Sequence, residues 1–416
     1  MMTNKGIMWF ICKDAAPLAE SGMFFRTLKQ AQFFQQNGYD VKIICSNWVH
    51  NTEICHKTQG LWKSEKHDNI EYIFLKSMYY GNNNIKRMLS YILFANDIFY
   101  LLKDFEKPQV IVHTSRIPFD YKIYKFARKC KAKYIMDVSD LWPWELEHNN
   151  VLGKNNPILK FFYTIERKLY TKADNVVFSC EGGPDYIYAH GWDLQKNKGP
   201  IDMEKVHYVN TGLDYVEFSE RLSKNYFEDK DLLDETTFKV IYLGSIRLVN
   251  NLIQLIDAAK CLLPYGKIKI LIYGDGPDRL MLEKKVQNEH ITNVLFKQKW
   301  VTPEYVPFIL SRASLNLLNY TKGWAPYGGS MNKMFMAIAS GKPILCNAGM
   351  GYSPIRSYNL GIDRYFPTSQ EYAEGILSFY KMENTEYEQL CQNCIKAAAD
   401  FDCFKLARNL KQYCNL

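Results

Sequence analysis

Two glycines, a serine, an asparagine and a lysine stand directly before an apolar run in the segment YGGSMNKMFMAIASGKPIL. The pattern predicts a helix that begins between Ser330 and Asn332. Gly328 and Gly329, which precede it, allow a ligand to approach the backbone closely. A helix N-terminus favours an anion through its unpaired N–H groups and its dipole, and an anion would also remove the conflict between Lys333 and that dipole. The segment therefore predicts a phosphate site, with a plain Gly-Ser N-cap and an exposed lysine as the alternative.

Two more glycine-containing stretches follow predicted strands in the same half of the chain. In IYLGSIRLVNN, Arg247 stands three residues after Gly244, and in IYGDGPDRL, Gly274 and Gly276 flank an aspartate. Each stretch alone is a weak signal. Three glycine sites at the strand ends of one sheet, with Arg247 and Lys333 nearby, predict that a diphosphate binds there. No stretch matches the Gly-x-Gly-x-x-Gly dinucleotide fingerprint or the Walker loop, so hydride transfer and ATP hydrolysis lose support.

Short apolar strands alternate with amphipathic helices along the chain, which is typical of parallel sheets with helices on both faces. The sequence therefore predicts an α/β protein of two doubly wound, Rossmann-like domains. We expect an N-terminal domain over residues 1–215, a C-terminal domain over 216–395, and a terminal helix over 396–416 that packs back across them. The acidic stretch 210–237 lacks periodicity, so the linker is placed there. Ligands of such sheets bind at the carboxyl ends of the strands, and the two domains are expected to face each other across a cleft.

The composition excludes several classes of protein. The 416 residues are 47% hydrophobic and 23% charged with no low-complexity tract, which indicates a folded chain. The net charge of +8 is spread over both halves, so no nucleic-acid partner is expected. Eleven cysteines lack framework spacing, and the first residues lack the features of a signal peptide. A cytoplasmic location is therefore favoured.

Two segments bear on contact with a membrane. The stretch IKRMLSYILFANDIFYLL, residues 85–102, is interrupted by polar and charged residues and fails as a membrane span. It is predicted to be either a core helix or a helix that lies partly in a bilayer interface. The basic residues within 122–133 predict a helix face that is either a solvated flank or a surface attracted to anionic lipid. Peripheral contact with the cytoplasmic face of a membrane is thus one of two alternatives.

Three motifs of the second half occur in the order Gly-Asp-Gly-Pro, Ser-x-Asn-Lys-x-Phe and Gly-Lys-Pro-Ile. This order resembles the donor half of the retaining glycosyltransferases of family 4, which have the GT-B fold. In the first half, SGMFFRTLKQAQFFQQNGYDVKIICSNWVHN, DVSDLWPWEL, IERKLYTKADNVVFSCEG and VNTGLD resemble the subgroup that builds bacterial capsule and O-antigen repeats. The resemblance implies a nucleotide-sugar donor in the C-terminal domain, an acceptor in the N-terminal domain and retention of the anomeric configuration.

The resemblance also implies roles for single residues of the donor half. Arg247 and Lys333 would hold the diphosphate, while Trp300 and Val301 would border the nucleotide base. The whole implied donor-binding set is Gly22, Gly244, Arg247, Gly274, Gly276, Trp300, Val301, Gly328, Gly329, Ser330, Asn332 and Lys333.

Asp140 and Arg26 are the catalytic residues that the resemblance implies. The loop from Gly22 to Arg26 and the aspartate of SDLWP would face the reacting sugar. A charged group there can stabilise developing positive charge or orient the acceptor hydroxyl. Asp137 is the alternative at the same strand end, and a buried or capping carboxylate is the alternative role for Asp140.

The predicted activity is transfer of a hexose or amino sugar from a nucleotide-diphosphate sugar, with UDP favoured, to a lipid-linked or oligosaccharide acceptor in surface polysaccharide biosynthesis. No cofactor and no metal are expected, because two cations and a helix start can neutralise the leaving diphosphate. Many relatives carry acids where this chain has Gly328 and Met336. One alternative is therefore a catalytically impaired binding or partner subunit of the same fold, and a weaker one is a GT-B sugar-nucleotide epimerase.

Overall fold

The computed structural model describes residues 5–18, 25–50, 52–81, 84–117, 119–323 and 325–416. The chain forms two compact units, one of Met1–Thr211 with Cys403–Leu416 and the other of Gly212–Asp402. Each unit is built on its own parallel-dominated sheet with helices between the strands, which confirms the predicted α/β class. In the part of the chain that is described, no helix has the length and apolar character needed to cross a membrane.

The described residues of the N-terminal unit form eight strands and seven helices before the chain leaves the unit. The strands are β1 (Ile7–Ile11), β2 (Asp40–Ser46), β3 (Trp62–His67), β4 (Ile70–Leu75), β5 (Val110–Thr114), β6 (Lys133–Val138), β7 (Asn175–Phe178) and β8 (Val206–Tyr208). The described helices are α1 (Phe25–Gln36), α2 (Asn84–Asp97), α3 (Tyr121–Cys130), α4 (Trp142–His148), α5 (Pro157–Lys172), α6 (Gly183–Ala189) and α7 (Leu194–Asn197), with 3₁₀ turns at Ile98–Lys103 and Met203–Lys205.

The sheet of this unit has the order β3-β4-β2-β1-β5-β6-β7-β8. Only β3, at one edge, runs antiparallel to its neighbour. Every residue of β1 and β5 is buried, because helices cover both faces of a parallel sheet. Leu28, Ala31 and Phe34 of α1 pack on this sheet. The ends of β1, β5 and β6 therefore lie side by side at one edge of a rigid scaffold.

The described strands of the C-terminal unit are β9 (Phe238–Leu243), β10 (Ile268–Tyr273), β11 (Val294–Phe296), β12 (Leu315–Leu318), β13 (Ile344–Cys346) and β14 (Gly361–Asp363). These six strands are all parallel and lie in the order β11-β10-β9-β12-β13-β14. The helices are α8 (Tyr215–Lys224), α9 (Lys230–Leu233), α10 (Leu252–Leu262), α11 (Arg279–Asn288), α12 (Val306–Ser311), α13 (Asn332–Ala339), α14 (Pro354–Ser357), α15 (Ser369–Tyr380) and α16 (Asn384–Ala398), with 3₁₀ turns at Leu248–Asn250 and Ala399–Phe401.

The last helix, α17 (Cys403–Tyr413), belongs to the N-terminal unit. Ala407 and Leu410 join the core that covers α1. The Tyr413 ring stacks on His207 of the same unit, with ring centres 5.2 Å apart. The chain thus returns to its first unit between Asp402 and Cys403, seven residues beyond the start of the terminal segment predicted from the sequence.

Half of the stretch predicted as a linker, 14 of its 28 residues, is helical. The chain passes between the units at Thr211, but α8 and α9 then fold with the C-terminal unit. Two acidic residues of this stretch are helix caps: Asp214 accepts a hydrogen bond from Glu217 N at 2.9 Å, and Asp229 accepts from Asp231 N at 3.0 Å. The boundary between the units lies inside the predicted stretch, and the two helices were missed because caps and linkers share the same residue types.

Candidate functional site

The helix start predicted from the sequence is confirmed at Asn332. Met331, the residue before α13, is extended with φ −90° and ψ 131°. Gly328 has φ +89°, in the left-handed region that favours glycine. The first N–H groups of α13 have no acceptor within the helix, so this turn offers backbone donors at the carboxyl end of β12.

The ammonium group of Lys333, in the first turn of α13, is enclosed by aromatic rings and an amide. Its Nζ lies 4.4 Å from the ring centre of Tyr320 and 5.5 Å from that of Tyr242. The Asn250 side-chain oxygen accepts a hydrogen bond from it at 3.3 Å when the amide is oriented to satisfy all its neighbours. No described carboxylate forms an ion pair with it, and burial lowers the pKa of Lys333 to about 8. A β-carbon on Gly244 would lie 3.8 Å from the same Nζ, so the loop after β9 borders this group.

Gly274 and Gly276 of the predicted set lie where the loops after β9 and β10 pack closely against each other. A β-carbon on Gly274 would lie 1.9 Å from the carbonyl oxygen of Gly244, and one on Gly276 would lie 2.1 Å from that of Ile246. All three glycines have positive φ. Packing of the loops after β9 and β10 is thus sufficient to require Gly274 and Gly276, and their contact with a donor stays a prediction.

Three other predicted donor-binding residues lie in loops at the carboxyl ends of strands. Arg247 follows β9, is exposed, and forms no ion pair with any described residue. Trp300 follows β11 and is 75% exposed, while Val301 packs against the core. The structure therefore places a free cation and a large exposed ring at the same edge of the sheet as the start of α13.

Met336 lies one turn after Lys333 on α13. Both residues line a cavity of ≈ 280 Å³ whose other walls come mainly from apolar residues of β9, β12 and α12. A thioether is only a weak hydrogen-bond acceptor. Met336 therefore cannot supply the carboxylate that many relatives are expected to carry at this position.

In the N-terminal unit, Asp140 is held by an arginine that sequence reasoning missed. Asp140 follows β6, and Arg116 follows the neighbouring strand β5. The Arg116 Nη1 donates to Asp140 Oδ2 at 2.6 Å, and the Asp140 side chain remains 44% exposed. The only sequence signal was a cation directly after a buried strand. The pair leaves one oxygen of Asp140 available at the carboxyl edge of the sheet.

A small cavity whose wall combines charged, polar and apolar side chains lies beside Arg116, at the ends of β1 and β5. Asp14 in its wall accepts hydrogen bonds from Lys13 Nζ at 3.3 Å and from the Tyr91 hydroxyl. Burial raises the pKa of Asp14, but the charges of Lys13 and Arg116 outweigh it and lower the pKa to about 2. The buried His113, also in the wall, hydrogen bonds Tyr134 at 2.8 Å, as expected for a core histidine.

Glu145 on α4 is a second residue that sequence reasoning missed. Burial and the negative charge of Asp140 together raise its pKa to about 7, against the opposing charge of Arg116. Near neutral pH this carboxyl therefore exchanges its proton close to Asp140. Groups that titrate at the working pH are suited to general acid–base roles.

The second predicted catalytic residue, Arg26, is committed to a buried ion pair. Its Nη2 donates to Asp137 Oδ1 at 2.7 Å, and its Nε donates to the same carboxylate at 3.1 Å. Its Nη1 donates to the carbonyl of Asn210 at 2.6 Å. Both charged side chains are buried. The structure thus gives Arg26 and Asp137 a structural pairing, and a catalytic role for Arg26 stays a prediction. Gly22 lies outside the described residues.

The GT-B fold of the chain is shared with many solved structures. The chain is similar to Anabaena Alr3699/HepE in complex with UDP and glucose over 98% of both chains, with 12% identity and a TM-score of 0.65. An E. coli structure of trehalose-6-phosphate bound with UDP-2-fluoro glucose matches over 99% of both chains, with 11% identity and a TM-score of 0.72. WaaG, a glycosyltransferase involved in lipopolysaccharide biosynthesis, matches over 97% of this chain and 98% of its own, with 14% identity and a TM-score of 0.66.

Residues 223–401 match the family model of glycosyl transferases group 1. This segment lies within the C-terminal unit and contains all the predicted donor-binding residues except Gly22. No curated protein matches the chain in sequence. The group 1 match therefore falls on the unit that holds Lys333, Arg247 and the start of α13.

Proposed function

We propose that the chain is a retaining glycosyltransferase. It transfers a hexose or amino sugar from a UDP-sugar to a lipid-linked or oligosaccharide acceptor in the biosynthesis of a surface polysaccharide. The observation that carries the proposal is the environment of Lys333, a cation without a carboxylate partner among the described residues, in the first turn of α13. The group 1 match over the same unit supports it.

The chemistry of the donor explains this arrangement. When the bond between the sugar C1 and the phosphate oxygen breaks, negative charge grows on the leaving nucleotide diphosphate. Lys333, Arg247 and the backbone N–H groups at Asn332 supply positive charge that is in place before the reaction starts. No metal is needed for that neutralisation, and metal-independent catalysis remains part of the proposal.

The identity of the donor is proposed by analogy. UDP, or a UDP-linked sugar, is bound in the Anabaena and E. coli structures, which share the fold. Trp300 is an exposed ring that can stack on a nucleotide base. The lipopolysaccharide context of WaaG supports a surface polysaccharide as the product.

The acceptor is proposed to bind the N-terminal unit at the carboxyl ends of β1, β5 and β6. Asp140 would accept a hydrogen bond from the acceptor hydroxyl or stabilise positive charge on the sugar, and Arg116 holds it in position. The cavity lined by Lys13 and Asp14 supplies further polar contacts for a hydroxyl-rich ligand.

Peripheral contact with an anionic membrane is proposed for α2. One face of this helix exposes apolar side chains at helical spacing, and these are Ile85, Met88, Leu89, Ile92 and Leu93. Lys86 is exposed beside this face. The basic helix α3 lies next to α2, joined to it by a bond from Lys122 Nζ to Asn96 Oδ1. An apolar stripe flanked by lysines is the pattern of a helix that rests on anionic lipid.

Vesicle sedimentation tests the membrane proposal. Wild type is expected to bind vesicles that contain an anionic lipid at low salt, and a variant with Leu89→Ser and Ile92→Ser should lose this binding. Val216→Ser, which removes an apolar side chain exposed in the other unit, is the control and should bind as wild type does. Equal binding by the double variant and wild type would refute the role of α2.

Thermal unfolding with a panel of nucleotide diphosphates and their sugars tests the donor site. Ligand that binds only the folded state raises Tm, and UDP compounds are expected to do so in wild type. Lys333→Ala and Arg247→Ala should abolish the shift. Lys381→Ala is the matched control, because Lys381 also lies over a tyrosine ring, at 5.3 Å from that of Tyr265, but outside the site. Transfer to an acceptor, read by NMR of the new anomeric centre, then tests the retaining outcome.

A catalytically impaired binding subunit is the second candidate. The apolar Met336 and the small Gly328, at positions where many relatives carry acids, favour it. A UDP-dependent Tm shift without hydrolysis or transfer of any donor sugar would move this candidate to first place. Interconversion of free sugar nucleotides without an acceptor would support the epimerase alternative instead.

A further inference from the structure

Two histidines and a glutamate converge at the edge of the N-terminal sheet that is farthest from Asp140. His56 Nδ1 lies 2.7 Å from Glu65 Oε2, and His67 Nε2 lies 3.4 Å from the same oxygen. One ligand atom from each residue lies within 4.8 Å of those of the other two. In a tetrahedral zinc site, neighbouring ligand atoms are about 3.3 Å apart, given metal–ligand bonds of about 2.0–2.1 Å. The three groups are therefore already close to the spacing that one ion requires.

Aromatic packing fixes the orientation of both imidazole rings. The His56 ring stacks on Phe74 with ring centres 3.7 Å apart and planes 7° apart. The His67 ring meets the edges of Phe74 at 6.0 Å and Tyr72 at 5.8 Å. Glu65 and His67 are two residues apart on β3, so their side chains leave the same face of the strand. A site whose ligands are held in place loses little side-chain entropy on binding an ion.

We propose that His56, Glu65 and His67 bind a divalent transition-metal ion of the zinc type. Two imidazoles and one carboxylate are a ligand set that suits Zn²⁺, with a fourth position left for water. All three side chains are only partly buried, so an ion can reach them from solvent.

The position of the site indicates a structural role. β3 and β6 are separated by five steps in the sheet order, or roughly 24 Å at about 4.8 Å per strand. The ion would therefore lie far from Asp140 and take no part in transfer. His56 lies outside β3, in a segment whose backbone bonds to Asn47 at 2.8 Å. The metal would clip this segment to the edge strand, a position where natural proteins commonly place features that block pairing with another chain.

The positive charge of Lys63 weakens the attraction of the three ligands for a cation, so a variant at Lys63 tests the proposal. Its ammonium group pairs with Glu65 Oε1, the carboxylate oxygen that does not face the histidines. Removing the neighbouring positive charge should strengthen the attraction for a cation. Lys63→Ala is thus expected to bind zinc several-fold more tightly than wild type.

Competition with a chromophoric zinc chelator measures the stoichiometry and affinity on the full chain. Wild type is expected to bind one Zn²⁺ that His67→Gln and His56→Gln each lose, and bound Co²⁺ should show the absorption of a tetrahedral site. The control is His207→Gln, since His207 is also partly buried and ring-stacked but lies outside the cluster. Zinc uptake that is equal in wild type and His67→Gln would assign the ion to cysteine thiols and overturn the proposal, as would the absence of uptake. His67 is the more exposed histidine, so its variant should keep the fold, and unchanged Tm without metal verifies this.

Discussion

The Nζ of Lys333 lies 4.4 Å from the ring centre of Tyr320, and the ring is a poorer partner for an ammonium group than a carboxylate. Tyr242 and Asn250 complete the enclosure without adding a negative charge. The positive charge of Lys333 would be balanced only when an anion binds next to it. The energetic cost of this charge in the free protein and the proposed affinity for a nucleotide diphosphate therefore have the same structural origin.

Replacing Lys333 by methionine should separate stability from binding. The variant removes a positive charge whose pKa is lowered by burial, so the ligand-free protein is expected to melt about 2 °C higher, for a gain of about 1 kcal/mol or less after discounting for solvent screening. The Tm shift caused by UDP should disappear. Lys381→Met should change neither quantity. A lower melting temperature in the ligand-free Lys333→Met protein would mean that the folded state already satisfies the charge.

Affinity for UDP should depend on pH through the same group. Lys333 has a pKa of about 8 in the free protein, and only its protonated form attracts the diphosphate. Binding is therefore expected to be constant near pH 7 and to weaken by up to about tenfold per pH unit above 8. The phosphate groups of UDP do not titrate in this pH range, because their last pKa is about 6. Titration calorimetry between pH 7 and 10 checks the slope, and Lys333→Arg should flatten it because arginine stays charged.

Breaking the Arg26–Asp137 ion pair should mainly lower the free energy of unfolding. Arg26→Ala leaves a buried carboxylate without its partner, for which a loss of about 3–5 kcal/mol in the free energy of unfolding is expected. Denaturant unfolding measures it, with the exposed Arg312→Ala as a control that should change stability little. The double variant Arg26→Met, Asp137→Leu should recover much of the loss. Full transfer activity in that double variant would refute a catalytic role for Arg26.

The contrast between Lys333 and Arg26 shows what the sequence can predict. The start of α13 at Asn332 and the cation beside it follow from a local run of glycine, serine and asparagine, so they were predictable. The enclosing tyrosines come from β9 and the end of β12, which are neighbours only because of the sheet order. Arg26 was predicted to face the sugar, but its partner Asp137 lies 111 residues later. Pairings over such distances have no local pattern.

The other differences between the predicted and the observed structure also depend on whether the contacts are local in sequence. The strand alternation predicted the α/β class because periodicity is local. Arg116 was missed because nothing in its own stretch shows that β5 and β6 are adjacent, which is what brings it to Asp140. The stretch that contains the caps Asp214 and Asp229 is predicted as a linker, because an acidic sequence without periodicity is compatible both with helix caps and with a linker. Strand order, rather than composition, decides which polar residues meet.

Asp140→Asn should reduce transfer without unfolding the protein. The side chain is partly exposed, and an asparagine still accepts a hydrogen bond from Arg116, so Tm should change little. If Asp140 acts as proposed, loss of its negative charge is expected to lower kcat by about 10²-fold or more. Initial rates of UDP release in the presence of acceptor measure the effect. Glu204→Gln, which neutralises an exposed acid of the same unit, should keep wild-type activity, and an Asp140→Asn enzyme with an equal rate would return Asp140 to a capping role.

Glu145→Gln should change how stability depends on pH. Burial and the charge of Asp140 raise the folded-state pKa of Glu145 to about 7, above its ordinary value of 4.5. The folded state therefore holds this proton more tightly, and the stabilisation that it provides below pH 4.5 is lost as pH rises to 7. The free energy of unfolding of wild type should fall relative to Glu145→Gln by about 1–2 kcal/mol between pH 5 and pH 8, a value reduced for partial exposure. Denaturant titrations at each pH measure the difference, with Glu204→Gln as the control for loss of one acid. Parallel curves for wild type and Glu145→Gln would show that this carboxyl titrates at its ordinary pKa, and the proton near Asp140 would then be missing at neutral pH.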